Sequence, residues 1–124
     1  MKYRNLAALA FAATFVAPAA LAAGDPIRGK ELYDSRCTGC HSIDQNRIGP
    51  AHQGVFGRGA GQAPGFAYSP AVKASRIVWS EKTLNAWLTS PEKLIPGQRM
   101  GYSVSEANDR ADLVAYIKTL TKQP

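Results

Sequence analysis

Only two cysteines occur in this chain, Cys37 and Cys40, and they are too close in sequence to staple a long loop. The chain has 124 residues, enough for one domain and too few for a large multidomain enzyme. A domain of about 100 residues buries a modest fraction of its surface, and small exported domains commonly compensate with disulfides or a bound cofactor.

Export is read from the first residues. Lys2 and Arg4 give a basic start, Leu6 to Ala17 an apolar run, and Ala20-Leu21-Ala22 a small-residue cleavage site. The expected organisation is a cleaved signal peptide over 1–22, a single domain over 23–124, and a periplasmic location. The competing reading, an uncleaved anchor, is disfavoured by Pro18 and by an apolar core shorter than the roughly 20 residues of a spanning helix.

The stretch Cys37-Thr38-Gly39-Cys40-His41 has the C-x-x-C-H spacing of c-type haem attachment. Two thiols at this distance, at the end of a helix, reach the two vinyl groups of one porphyrin, and the adjacent imidazole lies under the iron. A thioredoxin-like dithiol would need a βαβ setting that the chain lacks. A zinc site would need ligands beyond the one remaining histidine, His52.

Whether protein fills the second axial position of the iron separates electron transfer from ligand chemistry. Met1 leaves with the leader, so Met100 is the one methionine of the mature chain, and Pro96-Gly97 sets a turn just before it. Its polar neighbours Gln98 and Arg99 argue against a core gap-filler, the commonest use of methionine. His52 is the rival ligand, though an isolated histidine more often makes an ordinary hydrogen bond. A thioether opposite an imidazole favours the reduced iron and raises its potential.

Helical signals surround these residues. Asp25-Pro26 opens a first helix, with Ile27, Leu32 and Tyr33 in period, ending near His41. From Ser42 to Gly65 turn residues dominate, while Phe56, Phe66 and Tyr68 mark the segment as ordered. Short helices begin at Ser69-Pro70 and at Ser80, the latter stopped by Pro91. The last helix, capped near Ser103 or Ser105, carries Leu113, Val114, Ile117 and Leu120. No strand alternation or repeat is visible, so the fold class is all-α.

Loss of Lys2 and Arg4 lowers the formal net charge from +6 to +4. The remaining cations are scattered among acids without interleaved aromatics, which is not a nucleic-acid-binding pattern. Docking to acidic protein surfaces suits them better.

Gly49-Pro50, Phe56-Gly57-Arg58, the run from Gly61 to Tyr68, Trp79, Ile95-Pro96-Gly97 with Met100, and Leu113-Val114-Ala115-Tyr116 occur in the family order of class I cytochromes c. The mature chain closely resembles that family, in the branch of mitochondrial cytochrome c and its bacterial periplasmic relatives. The resemblance implies three main helices plus short helices and loops around one covalent haem c, held by Cys37 and Cys40, with His41 and Met100 as iron ligands. It implies that Gly29 and Tyr33 meet Leu113 and Tyr116 where the end helices cross, and that the Pro50 carbonyl accepts the free N–H of His41. Arg58, Tyr68 and Trp79 would hold the propionates, with Gln98 as a further donor, and Arg36, Lys93 and Arg99 would be docking cations.

Two departures stand out. His52 replaces an apolar residue, and Trp87 stands where a tyrosine hydroxyl often reaches the methionine sulfur. The implied role is a monomeric, non-enzymatic shuttle of single electrons, whose partner is a bc-type complex, a terminal oxidase, a photosynthetic reaction centre or a periplasmic dehydrogenase. A haem peroxidase or gas sensor is the alternative, and it requires a detached Met100.

Overall fold

Helix α1, Pro26–Arg36, starts where the Asp25 carboxylate accepts the amides of Ile27 and Arg28 and Pro26 takes the first helical position, whose amide needs no partner. The computed structural model describes residues 23–121, so the expected leader over 1–22 lies outside the described residues. Four more helices follow: α2 Pro70–Ala74, α3 Glu81–Thr89, α4 Pro91–Leu94 and α5 Ala107–Ile117. Among the described residues the one β-type pairing is an isolated bridge between Gly59 and Val78. The chain is all-α, as its sequence pattern indicates.

The serine caps act where the sequence places them. Ser69 accepts the Val72 amide, and Ser80 forms a reciprocal capping box with Thr83. Two boundaries differ from expectation. Helix α1 stops at Arg36 with Cys37 as its C-cap, well before His41, and the cysteine segment coils into separate turns. Helix α5 is entered through Glu106 with no side-chain cap, because the Ser105 hydroxyl donates to the Glu106 carboxylate and the Arg110 guanidinium takes the Val104 and Ser105 carbonyls.

The principal packing joins the first helix to the last. Gly29 brings the α1 backbone against α5, where an added methyl group would sit 1.9 Å from the Asp112 carbonyl oxygen and 2.9 Å from the Tyr116 Cβ. Tyr33 meets Tyr116 edge to face at 5.2 Å, and Leu113 is fully enclosed. Two carboxylates of α5 are buried in the same contact. Arg28 bridges Asp109 and Asp112, Arg36 lies 3.2 Å from Asp109, and the Asp25 amide donates to Asp112 at 2.7 Å. Arg36 is therefore committed to an ion pair rather than free as a docking cation, because a buried carboxylate holds its counter-charge close.

The long segment after His41 is ordered by hydrogen bonds to distant chain. The Gly54 amide donates to the Leu120 carbonyl, the Gly57 amide to Trp79 and the Ala60 amide to Ile77. Phe66 and Tyr68 contact edge to face at 4.8 Å, which gives these aromatics the packing partners the sequence demanded. Val55, Val72, Leu84, Leu88, Ile95 and Val104 complete one core with Tyr33, Leu113 and Ile117.

Candidate functional site

Beyond the last turn of α1, the amides of Cys40 and His41 both donate to the Cys37 carbonyl, at 3.1 and 2.9 Å. Thr38 Oγ1 donates back to the Asp34 carbonyl at 2.6 Å, occupying one of the acceptors the helix leaves open. The cysteines are not bonded to each other; Cys37 is half-buried and Cys40 exposed. Burial pushes the Cys37 thiol up to about 11, so at neutral pH it is a protonated thiol. A dithiol oxidoreductase relies on a stabilised thiolate, which burial disfavours at Cys37. Among the described residues no three His, Cys, Asp or Glu side chains gather as a metal-holding group.

His41 follows the turn, and backbone surrounds it. Its Nδ1 donates to the Pro50 carbonyl at 2.9 Å, which assigns the proton to Nδ1 and leaves the Nε2 lone pair available. The Gly49 amide donates to the Cys40 carbonyl at 2.9 Å and brings Gly49 flat against the ring. A methyl group on Gly49 would lie 2.2 Å from His41 Cε1 and 2.7 Å from Nε2. Burial lowers the His41 pKa, and the Pro50 carbonyl opposes that shift in part.

His52 stacks on His41, with ring centroids 4.0 Å apart and planes 22° from parallel. Rings laid face to face on one side do not form the opposed pair that two axial ligands require, so the stack speaks against His52 as the second ligand. Its Nδ1 lies 2.8 Å from the Tyr33 hydroxyl. Burial, and then the nearness of His41 and Arg58, drive its pKa down to about 3, so the ring is neutral at neutral pH.

Met100 sits half-buried against the core at the end of a loop tied to α4. Glu92 accepts the Gly97 amide and the Gln98 side-chain N–H2, at 3.0 and 3.2 Å, while the Gln98 carbonyl accepts the Met100 amide. One N–H of the Gln98 side chain meets Glu92, and its side-chain oxygen fixes the Met100 backbone. Gly97, at φ +92°, makes the reversal that starts the loop. Trp87 packs edge to face on Trp79 at 5.3 Å, and both belong to the core that also receives Met100, Cys37 and Tyr68.

Arg58, Tyr68 and Trp79 occupy ordered positions around this core. The Arg58 guanidinium donates to the Gln53 and Ala51 carbonyls at 3.2 and 3.1 Å, yet its Nε is buried without a partner. Arg58 and Trp79 are joined through the backbone, the Trp79 amide donating to the Arg58 carbonyl at 2.9 Å. Tyr68 Oη accepts the Ala63 amide at 3.1 Å, which leaves its own proton free to donate. Asn46 escaped the sequence reading: its side chain donates to Pro64 and accepts from Ala51, clasping two loops. An asparagine amid turn residues carries no periodic signal, so nothing in the pattern marked it.

Residues 27–121 match the family profile described as Cytochrome c. Cytochrome c of Euglena viridis is 46% identical over 100 residues, spanning 78% of this chain and 98% of that protein. Cytochrome c2 of Rhodopila globiformis is 41% identical over 100 residues, spanning 78% of this chain and 94% of the relative. Among solved structures, cytochrome cH from Methylobacterium extorquens superposes with a TM-score of 0.74 at 37% identity, over 77% of this chain and 99% of that one.

Proposed function

Because the chain belongs to the class I cytochrome c family, whose haem c is bound covalently through two cysteines, we propose that it is a low-spin carrier in which His41 and Met100 are the two iron ligands. Electron carriage rather than enzymatic turnover is the family's activity, and Cys37 and Cys40 are the two cysteines this chain has for attachment.

The observation that carries the reading is the hydrogen bond from His41 Nδ1 to the Pro50 carbonyl, which presents Nε2 as a bare lone pair directly after the cysteine pair. When bound, the haem supplies an iron that cycles between ferric and ferrous states. Two further features fit the group. Arg58 Nε is a buried donor without a partner, suited to a carboxylate such as a propionate, and the Cys37 thiol is protonated, as addition across a vinyl group requires. Tyr68 and Trp79 flank the same core and would share the propionate contacts, Tyr68 through its free hydroxyl proton.

Each remaining residue has a stated part in the carrier. His41 is held in one tautomer by Pro50. Gln98 and Glu92 hold the loop that offers the Met100 thioether, so the loop stays closed through the electron step and little rearrangement accompanies it. Lys93 and Arg99 are exposed and have no ion-pair partner among the described residues, which suits them to weak, charge-steered docking with acidic redox partners. The leader over 1–22, cleavage before residue 23, the periplasmic location and a respiratory, photosynthetic or dehydrogenase partner complete the proposal. They are supported by the basic-apolar-small pattern of the first residues.

Optical spectroscopy of the purified mature protein tests the ligand set. The weak long-wavelength sulfur-to-iron band of the ferric form is expected in the unmodified protein and absent from Met100→Ala. A high-spin ferric spectrum in the unmodified protein would sink the assignment and favour the open-site alternative, a peroxidase or gas sensor.

A further inference from the structure

We infer that His52, anchored by Tyr33, is a positioning residue that sets the rotational angle of the His41 ring about the bond its Nε2 makes to iron. The inference rests on the reading of His41 as the iron ligand and deepens it.

The hydrogen bond to Pro50 fixes where the Nδ1–H of His41 points. A single hydrogen bond bends over a broad range of angles, so it restrains the ring only softly against rocking. Gly49 packs flat against the ring so closely that it admits no side chain, but a glycine offers a point of contact and no plane of its own to set an angle. The face is covered by His52, whose ring lies 4.0 Å away and 22° from parallel. Of these three contacts, the stack is the one that presents a plane to the ring.

A stacked partner can set an angle only if it is itself immobile. Tyr33 supplies that restraint, with its hydroxyl 2.8 Å from His52 Nδ1 and its ring edge-on to His52 at 5.6 Å. Tyr33 is in turn 1% exposed and wedged by Tyr116 from α5. The contact chain Tyr116, Tyr33, His52, His41 thus carries the rigidity of the α1–α5 interface to the candidate ligand. A leucine at position 52 would fill the volume without presenting a plane. A phenylalanine at position 33 would leave His52 Nδ1 with no partner, so the two polar residues act as a unit.

In a low-spin ferric haem the plane of the axial imidazole decides which iron orbital holds the unpaired electron, and hence how spin density spreads over the haem methyl groups. Outer residues that orient a ligating histidine tune the metal in this way. Proton NMR of the ferric holoprotein reads the pattern directly, alongside the midpoint potential. Tyr33→Phe, which removes one oxygen atom, and His52→Leu are both expected to reorder or compress the spread of haem-methyl resonances. His52→Leu should also raise the potential, since it replaces a polar ring by a hydrocarbon next to the ferric charge. His52→Phe keeps a flat ring and should recover most of the original methyl pattern.

A protein merely loosened by the substitutions would unfold at a lower temperature with its methyl pattern intact. That result, superimposable resonances in Tyr33→Phe and His52→Leu, overturns the inference while leaving His41 ligation standing. Absence of low-spin haem from the unmodified protein overturns both.

Discussion

Gly29 and Asp112 approach so closely that a single methyl group on the glycine would lie 1.9 Å from the aspartate's carbonyl oxygen. Both atoms belong to helical backbone, and neither helix can yield without disturbing the ion pairs of Arg28 and Arg36 with α5. Gly29→Ala is expected to destabilise the folded protein by about 3 kcal/mol, at the upper end of typical overpacking costs. Denaturant unfolding of the holoprotein measures it, and a loss below about 1 kcal/mol would show that the helices separate easily.

The same steric logic applies at Gly49, but its outcome is spectroscopic. The added carbon of Gly49→Ala would press on His41 at 2.2 Å, on the ring itself. The ring must tilt, and the hydrogen bond to Pro50 must lengthen. A high-spin fraction in the ferric optical spectrum is the expected result, together with a loss of about 1–3 kcal/mol in stability. An unchanged spectrum would mean that His41 is held more loosely than its contacts indicate.

Gln98 is expected to govern how often the Met100 loop opens. Its side chain joins Glu92 to the Met100 amide, and Gln98→Ala removes both links. Each hydrogen bond contributes about 1 kcal/mol, so losing both should raise the open population by a factor of about thirty. Cyanide entering the ferric iron samples that population, and its binding rate in the variant should increase by the same factor. Equal rates in the two proteins would place the restraint on Met100 elsewhere.

Alkaline pH tests the burial of Tyr33. Desolvation pushes its phenol well above the ordinary tyrosine value of 10, so the unfolded chain releases the proton at a pH where the folded protein keeps it. The associated stability is whole below about pH 10 and is lost as pH rises from there toward the raised value. Tyr33→Phe is expected to be less stable by about 1 kcal/mol near neutrality for want of the bond to His52. The gap to the unmodified protein should then stay constant up to about pH 9 and narrow as pH rises through about pH 10 to 11. A constant gap across that range would mean that the phenol titrates alike in both states.

Features encoded within a few residues of one another were legible in the sequence. The caps at Asp25, Ser69 and Ser80 act within three residues, and each forms the bonds its spacing implies. The contact of His41 with the Pro50 carbonyl is the one the family resemblance implied, whereas the cysteine segment forms turns where the helix was expected to continue. What escaped depends on distance or competition. Asp109 and Asp112 look like surface carboxylates along α5, and their partner Arg28 stands more than 80 residues away. The serine expected to cap α5 is turned toward Glu106. Gln98 carries both a donor and an acceptor, and only the position of Glu92 decides where each of them goes. His52 was visible as an oddity, but its stack with His41 and its bond to Tyr33 arise from folding and not from spacing.

The two helices that bind each other most extensively are also the two ends of the described chain, α1 and α5. A cut in the exposed connection between them, near Ala67 for example, would leave each fragment owning one complementary half of the seam. Such a nicked protein should remain associated through Gly29, Tyr33 and the buried carboxylates, its two pieces parting only when that seam is pulled open.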